Sequence, residues 1–234
     1  MLNTTTSSTP RTRHAMDIDF AGERLTLLAD RAILWPRRST LIVADTHFGK
    51  DSLFQQRGIP VPSDITGNDL ARLAAVLGKS GAKRLLILGD FFHGKESNDE
   101  QMTKHLRAWR DALAQVEVTL IRGNHDRHAG DPCPSLNFDC LNSLTVDDVK
   151  FQHAPDDEPQ PGGPAIVCGH VHPATTLVDF DTKVLKVPAF VIDERQMVVP
   201  AFGRFTGTAV MPRQPGRQFM IASHGRVIRV PDRE

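Results

Sequence analysis

Five short apolar runs in this chain each stop at a side chain that can bind a cation, and few folds accommodate that pattern. The run at 40–44 leads into Asp45-Thr46-His47, and the run at 85–88 into Gly89-Asp90, with His93 shortly after. Residues 116–121 lead to Arg122-Gly123-Asn124-His125-Asp126, residues 149–152 to His153, and residues 165–168 to Gly169-His170-Val171-His172. Apolar runs of this length, bounded by turn residues, read as buried strands. Open α/β sheets hold their ligands just outside the carboxyl ends of such strands. Six of the ten histidines fall in these stretches. Polar turn filler explains one or two such endings, but not five.

The residue types set the chemistry. Asn124 is a poor acid or base, yet its carbonyl oxygen can bind a hard or borderline cation. His125 beside it belongs to the one side-chain type whose unperturbed pKa lies near neutrality. A structural zinc site is the simpler account of a His/Asp cluster, but structural zinc prefers closed, Cys-rich tetrahedra. Cys133, Cys140 and Cys168 match none of the ligand positions. Mixed, oxygen-rich ligands suit Mn²⁺, Fe²⁺ or Mg²⁺ better. Two such ions about 3.5–4 Å apart can clamp the attacking and leaving oxygens of a phosphate ester. A carboxylate must then bridge them.

Taken in order, Asp-x-His, Gly-Asp, Gly-Asn-His-Asp, a lone His and Gly-His-x-His resemble the binuclear metallophosphoesterase superfamily, every block falling between residues 45 and 172. The flanks Asp45-Thr46-His47-Phe48-Gly49-Lys50, Arg57-Gly58-Ile59-Pro60 and Val199-Pro200-Ala201-Phe202-Gly203 are most similar to the bacterial ligase-associated DNA damage response endonucleases. The resemblance implies an α/β (α+β sandwich) fold, two β-sheets flanked by helices, with the metal site at the carboxyl ends of the strands. It also implies two divalent ions, Mn²⁺ foremost. Asp90 would bridge them, with Asp45, His47 and His172 on one ion and Asn124, His153 and His170 on the other. A metal-bridging hydroxide would attack the phosphodiester. His125 matches the histidine that contacts the scissile phosphate, where an imidazolium can stabilise charge and protonate the leaving oxygen.

Other side chains near these blocks carry two readings each. Asp126 either orients the His125 imidazole or caps the turn. His93 either touches the substrate or supports the site from behind. Phe48, Phe91 and Phe92 either offer faces to unstacked bases or belong to the core. Arg122 and Lys95 either hold a phosphate or are plain surface charge. The acidic Pro/Gly stretch 155–164 either overhangs the site or is a solvated loop.

Composition bounds the partners. With 28 basic and 28 acidic residues the net charge is zero, which disfavours a tight electrostatic footprint on duplex DNA. A flexible single strand entering a metal cleft fits better. With that charge balance, the resemblance implies a metal-dependent phosphodiesterase acting as a DNA endonuclease, on single strands in repair, with a functional link to a DNA ligase and helicase. A small-molecule phosphodiesterase or phosphatase, or a non-catalytic scaffold, remains the alternative. No apolar run approaches the ~18 residues of a membrane span, and an odd cysteine number without CxxC spacing fits a reducing cytoplasm. Residues 1–16, rich in Thr and Ser, are read as a disordered tail, and 17–234 as a single domain.

Within that domain the pattern predicts strands near 16–20, 24–28 and 32–35. Helices are expected around Leu70, Leu73, Ala74 and Leu77 and around Met102, Leu106, Trp109 and Leu113, whose spacing marks core stripes. Strand–helix–strand order from 40 to 121 predicts parallel units. From 143 onward short strands dominate, ending in a hairpin turned at Ser223-His224-Gly225.

Overall fold

A computed structural model describes residues 15–62, 64–178 and 184–231. Two β-sheets face one another, and helices cover the outer face of the first. The first sheet has the order β1 (Ala15–Phe20), β2 (Glu23–Leu28), β3 (Ala32–Trp35), β4 (Thr40–Val43), β5 (Arg84–Leu88), β6 (Glu117–Ile121) and β7 (Phe138–Leu141). Strands β1 to β4 form an antiparallel meander, and β4 to β7 are parallel. The parallel half needs crossovers. α1 (Lys50–Gln56) and α2 (Ile65–Ser80) join β4 to β5, and α3 (Glu100–Asp111) joins β5 to β6.

The second sheet contains β8 (Leu144–Val146), β9 (Val149–Phe151), β10 (Ala165–Cys168), β11 (Pro173–Val178), β12 (Val184–Ile192), β13 (Gln196–Val198) and β14 (Ala209–Val210). The hairpin β15 (Gln218–Ser223) and β16 (Arg226–Arg229) attaches to β12. Its turn is His224-Gly225, both in the left-handed region as a tight hairpin demands. Strands β9, β10 and β13 run parallel, so both sheets present carboxyl strand ends.

Period-two alternation divides the apolar side chains between two layers. Ile42, Leu86, Leu88 and Ile121 point inward and meet Phe151, Val167, Phe190 and Met220 of the second sheet. Leu41, Val43, Leu85, Ile87 and Leu120 point outward and meet Leu70, Leu73 and Leu77 of α2 and Met102, Leu106 and Trp109 of α3. Both predicted stripes are core contacts. Asp99 caps α3 by accepting from the Met102 amide at 2.7 Å.

The structure corrects the tail boundary, because Ala15 and Met16 are the first residues of β1; the rest of the predicted tail lies outside the described residues. α1 and a short helix α4 (Asn124–Ala129) were not expected from the pattern. The 155–164 stretch takes the solvated-loop reading. It is largely exposed, and the Asp156 backbone pairs in both directions with the Gln196 side chain at the start of β13, the far end from the ligand-bearing tips. No helix among the described residues is long and apolar enough to cross a membrane.

The amino ends of the strands form their own polar rim. Glu23 accepts from Trp35 Nε1 at 2.7 Å and from Arg37. Arg37 and Arg38 both reach Asp147, which sits in the β8–β9 turn of the second sheet. These pairs tie the two sheets together at that end.

Candidate metal centre

The carboxyl rim gathers side chains from both sheets. β4 delivers Asp45 and His47, β5 delivers Asp90 and His93, and β6 runs into α4 with Asn124 and His125. β9 leads to His153, and β10 to His170 and His172. The backbone makes sharp exits to do this. Asp45, His47, Asp90, His170 and His172 all have positive φ, between 47° and 73°. Left-handed backbone is uncommon for residues with a Cβ and persists only where the surroundings enforce it. Here they do. The amides of Asp45, His47 and Phe48 donate to the carbonyls of Gly89, Asp90 and Phe91, zipping the two turns together beyond the strand ends.

Asp90 lies at the centre. Its Oδ2 is 3.8 Å from His47 Nε2, and its Oδ1 is 3.4 Å from His153 Nε2. The two oxygens of one buried carboxylate thus face two separate imidazole groups. On one side His47 Nε2 is 3.1 Å from His172 Nε2, which is 3.7 Å from Asp45 Oδ1. On the other, His153 Nε2 lies 3.0 Å from both Asn124 Oδ1 and His170 Nδ1. The sets Asp45–His47–His172 and Asp90–His153–His170 each bring their ligand atoms within 4.8 Å of one another. All seven residues expected as ligands stand at this rim.

The donor chemistry fits cations. His153 Nδ1 donates to the Leu88 carbonyl at 2.9 Å, and His172 Nδ1 to the Gly207 carbonyl at 3.1 Å. Each tautomer leaves Nε2 as a bare lone pair aimed into the cluster. Around His153, that lone pair confronts an amide oxygen and a carboxylate oxygen with no proton to share. Positive charge is what such a convergence of acceptors lacks. Burial, then His172 and His125, holds His47 down to about 2, so it is the neutral, ligating form. Burial likewise lowers His170 and raises the Asp45 carboxyl. His172 is held up despite its burial, by the Asp45 carboxylate 3.7 Å away and by the Gly207 carbonyl.

Two glycines make room. A Cβ on Gly123 would sit 2.1 Å from Asp90 Oδ1, and one on Gly169 would sit 2.5 Å from Asp45 Oδ2. The glycine before each of these two blocks therefore admits a carboxylate, a reason separate from turn freedom.

His125 is at the open side. Its Nδ1 donates to the His93 carbonyl, its backbone amide donates to Asp90 Oδ1 at 3.0 Å, and its Nε2 is 4.0 Å from Asp90 Oδ2. The His93 ring stacks on it with centroids 5.2 Å apart, and His93 Nδ1 lies 3.4 Å from His47 Nδ1. Burial and the nearby Lys50 hold His93 down to about 4. Asp126 does not meet the His125 ring. Its Oδ1 accepts from the amides of Phe91 and Phe92, and its Oδ2 from Gly123, so it clamps the α4 turn to the β5 tip.

The three phenylalanines beside the ligand turns take the core reading. Phe48, Phe91 and Phe92 are 1%, 0% and 1% exposed, packed between the first sheet and the helices. None can meet a base. Arg122 is engaged bidentately by Asp131, while Lys95 stands exposed.

Residues 199–203, singled out by sequence only as a flank, begin a segment that runs to 207. They pass beneath the first ligand turn, where Phe202 N donates to Ala44 O and Gly203 N to Asp45 O. Arg72 of α2 stacks its guanidinium 3.6 Å from the Phe202 ring centre and bonds Asp69, whose other oxygen accepts from Arg204 N.

Residues 39–156 match the calcineurin-like phosphoesterase family. The chain belongs to that family. It is a metallophosphoesterase, a hydrolase whose His/Asp groups imply divalent metals. Among solved structures it is similar to the nuclease MPE of Pseudomonas putida, with 37% identity, a TM-score of 0.79, and coverage of 92% of this chain and 100% of that one. YfcE, a phosphoesterase from E. coli, aligns at 13% identity with a TM-score of 0.41, over 82% of this chain and 97% of that one. Comparison with curated protein sequences gives no match.

Proposed function

We propose that this metallophosphoesterase is a single-strand DNA endonuclease. The observation that carries this reading is Asp90 with its two oxygens turned to two separate imidazole sets, in a chain 37% identical along nearly its whole length to a nuclease. Asp45, His47 and His172 would hold one ion, Asn124, His153 and His170 the other, and Asp90 would serve both. Mn²⁺ suits this mixture of imidazole, amide and carboxylate. Such ions, when bound, draw a phosphodiester to the rim and make a water acidic enough to attack near neutral pH.

The chain's own residues do the rest. His125 has its Nδ1 pinned by the His93 carbonyl, so its Nε2 is the atom presented to the leaving oxygen and able to deliver a proton. His93 backs that ring and limits its rotation. Asp126 works at one remove, fixing the turn from which Asn124 and His125 project. A single strand suits the site because the chain is neutral overall, which gives little hold on a duplex. Repair in the cytoplasm, with a DNA ligase or helicase as partner, is the setting this reading implies.

The test is cleavage of a circular single-stranded DNA by metal-stripped protein with Mn²⁺ added back, beside Asp90→Ala and His125→Ala. A circle has no ends, so only an endonuclease opens it. Cutting by wild type alone supports the reading. Intact circles, with bis-p-nitrophenyl phosphate still hydrolysed, would leave a phosphodiesterase with a different substrate.

A further inference from the structure

The aromatic surface missing from the buried Phe48, Phe91 and Phe92 exists elsewhere on the same rim. Phe54 of α1 and Phe205 of the 199–207 segment meet edge to face, with ring centroids 5.4 Å apart, and both rings are half-buried. Lys50 Nζ lies over both, 5.7 Å from the Phe54 centroid and 5.5 Å from that of Phe205. This group borders the candidate metal centre. Phe54 lies 6.3 Å from His93, ring centre to ring centre, and Phe205 and Lys50 line a small cavity together with His47.

Each part of the wall is rigidly mounted. Buried Asp51 accepts from Thr66 N at 3.0 Å and from Thr66 Oγ1 at 2.6 Å, and Thr66 Oγ1 accepts from Gly49 N at 2.9 Å. That network fixes the start of α1, hence Lys50. The Phe205 segment is fixed by Asp69, Arg72 and the backbone bonds to Ala44 and Asp45. Aromatic faces interleaved with a cation, beside a phosphoester site, are what an unpaired nucleotide requires: a ring to stack on and a charge for its phosphate. Rings that are ordered beforehand lose little entropy on binding.

We infer that Phe54 and Phe205, with Lys50 between them, form the wall that holds the nucleoside next to the scissile phosphate. The base stacks on the rings, and Lys50 neutralises the adjoining phosphate. A base paired within a duplex cannot reach the rings, so the wall selects unpaired strands. This inference rests on the nuclease reading and names the recognition element of that site.

The test compares cleavage of an oligothymidylate with cleavage of a strand of equal length built from abasic tetrahydrofuran units, both with Mn²⁺. The strands share their backbone charge and differ in bases. Wild type is expected to prefer oligothymidylate, and Phe54→Leu and Phe205→Leu to reduce that preference about tenfold, the order of one lost base stack. Phe54→Tyr, which restores a ring, keeps it. An unchanged preference in both leucine variants, equal losses on the two strands, or no preference in wild type would overturn the wall while leaving the nuclease in place. Wild type that cuts neither strand but hydrolyses bis-p-nitrophenyl phosphate would overturn both.

Discussion

The two rims of the sandwich are both polar, and both join the first sheet to the second, yet they are built on opposite principles. At the amino rim, Glu23, Arg37, Arg38 and Asp147 answer one another in sign. Their charges are satisfied within the protein, and of the four only Asp147 has left-handed backbone. At the carboxyl rim, lone pairs of Asp45, Asp90, Asn124, His153 and His172 converge with backbone amides as donors to the two carboxylates and no Lys or Arg ion pair among the described residues, on a backbone bent repeatedly into the left-handed region. Matched polar groups fasten a fold. Unmatched ones, held together by force of surrounding structure, mark where it expects something from outside.

Asp90→Asn is the most severe test of this contrast, because it keeps the shape and removes the shared negative charge. Phosphodiester hydrolysis should fall to background, and bound metal, measured by atomic absorption, should fall with it. Full metal content in the variant would break the comparison. His125→Ala should lower kcat by about 10²–10⁴, the range for a lost general acid, with metal content unchanged. Gly123→Ala pushes a methyl group to within 2.1 Å of Asp90 Oδ1. Metal affinity should drop about 10–100-fold, as when the support of a ligand is disturbed; titration with Mn²⁺ followed by activity would show it.

At the amino rim the effects are small and concern stability alone. Asp147, with 44% of its side chain exposed, forms water-screened surface pairs that add little to stability. Asp147→Ala should shift urea unfolding only slightly and leave hydrolysis untouched. The smallest effect is the acid response of Glu23. Its hydrogen bonds from Arg37 hold its carboxyl below the ordinary 4.5, so the folded state favours the ionised form. That contribution is complete above the ordinary value and disappears as pH falls through the lowered one. Urea midpoints measured from neutral into acid should therefore decline less steeply for Glu23→Gln than for wild type.

The sequence disclosed the carboxyl rim better than the amino rim for a local reason. Each ligand follows its own strand, so five strands announce five tips, and the stripes of α2 and α3 announce the layer outside them. What stayed hidden depends on contacts far along the chain. Phe48, just beyond a strand end, carries both a surface and a core reading until its bridge to Phe92 shows both rings closed into the layer. Asp126 reads like a partner for the adjacent His125, but the amides of Phe91 and Phe92, distant in sequence, take its oxygen. Phe54 and Phe205 lie on segments with no stripe to flag them, and only the packing of 199–207 beneath Asp45 brings them together. α1 and α4 are too short for a periodic signal to declare.

The division of the centre between the sheets also bears on how the protein is made. Asp45, His47, Asp90 and Asn124 come from the first sheet and its turns, but His153, His170 and His172 follow the second, and the Gly207 carbonyl that sets the His172 tautomer comes later still. During synthesis, the early residues leave the ribosome with nothing to close against. A chain cut short before residue 170 lacks His170 and His172, one member of each set. Hydrolysis is thus withheld from copies that stop short of those two histidines, and the order of translation itself acts as a safety catch.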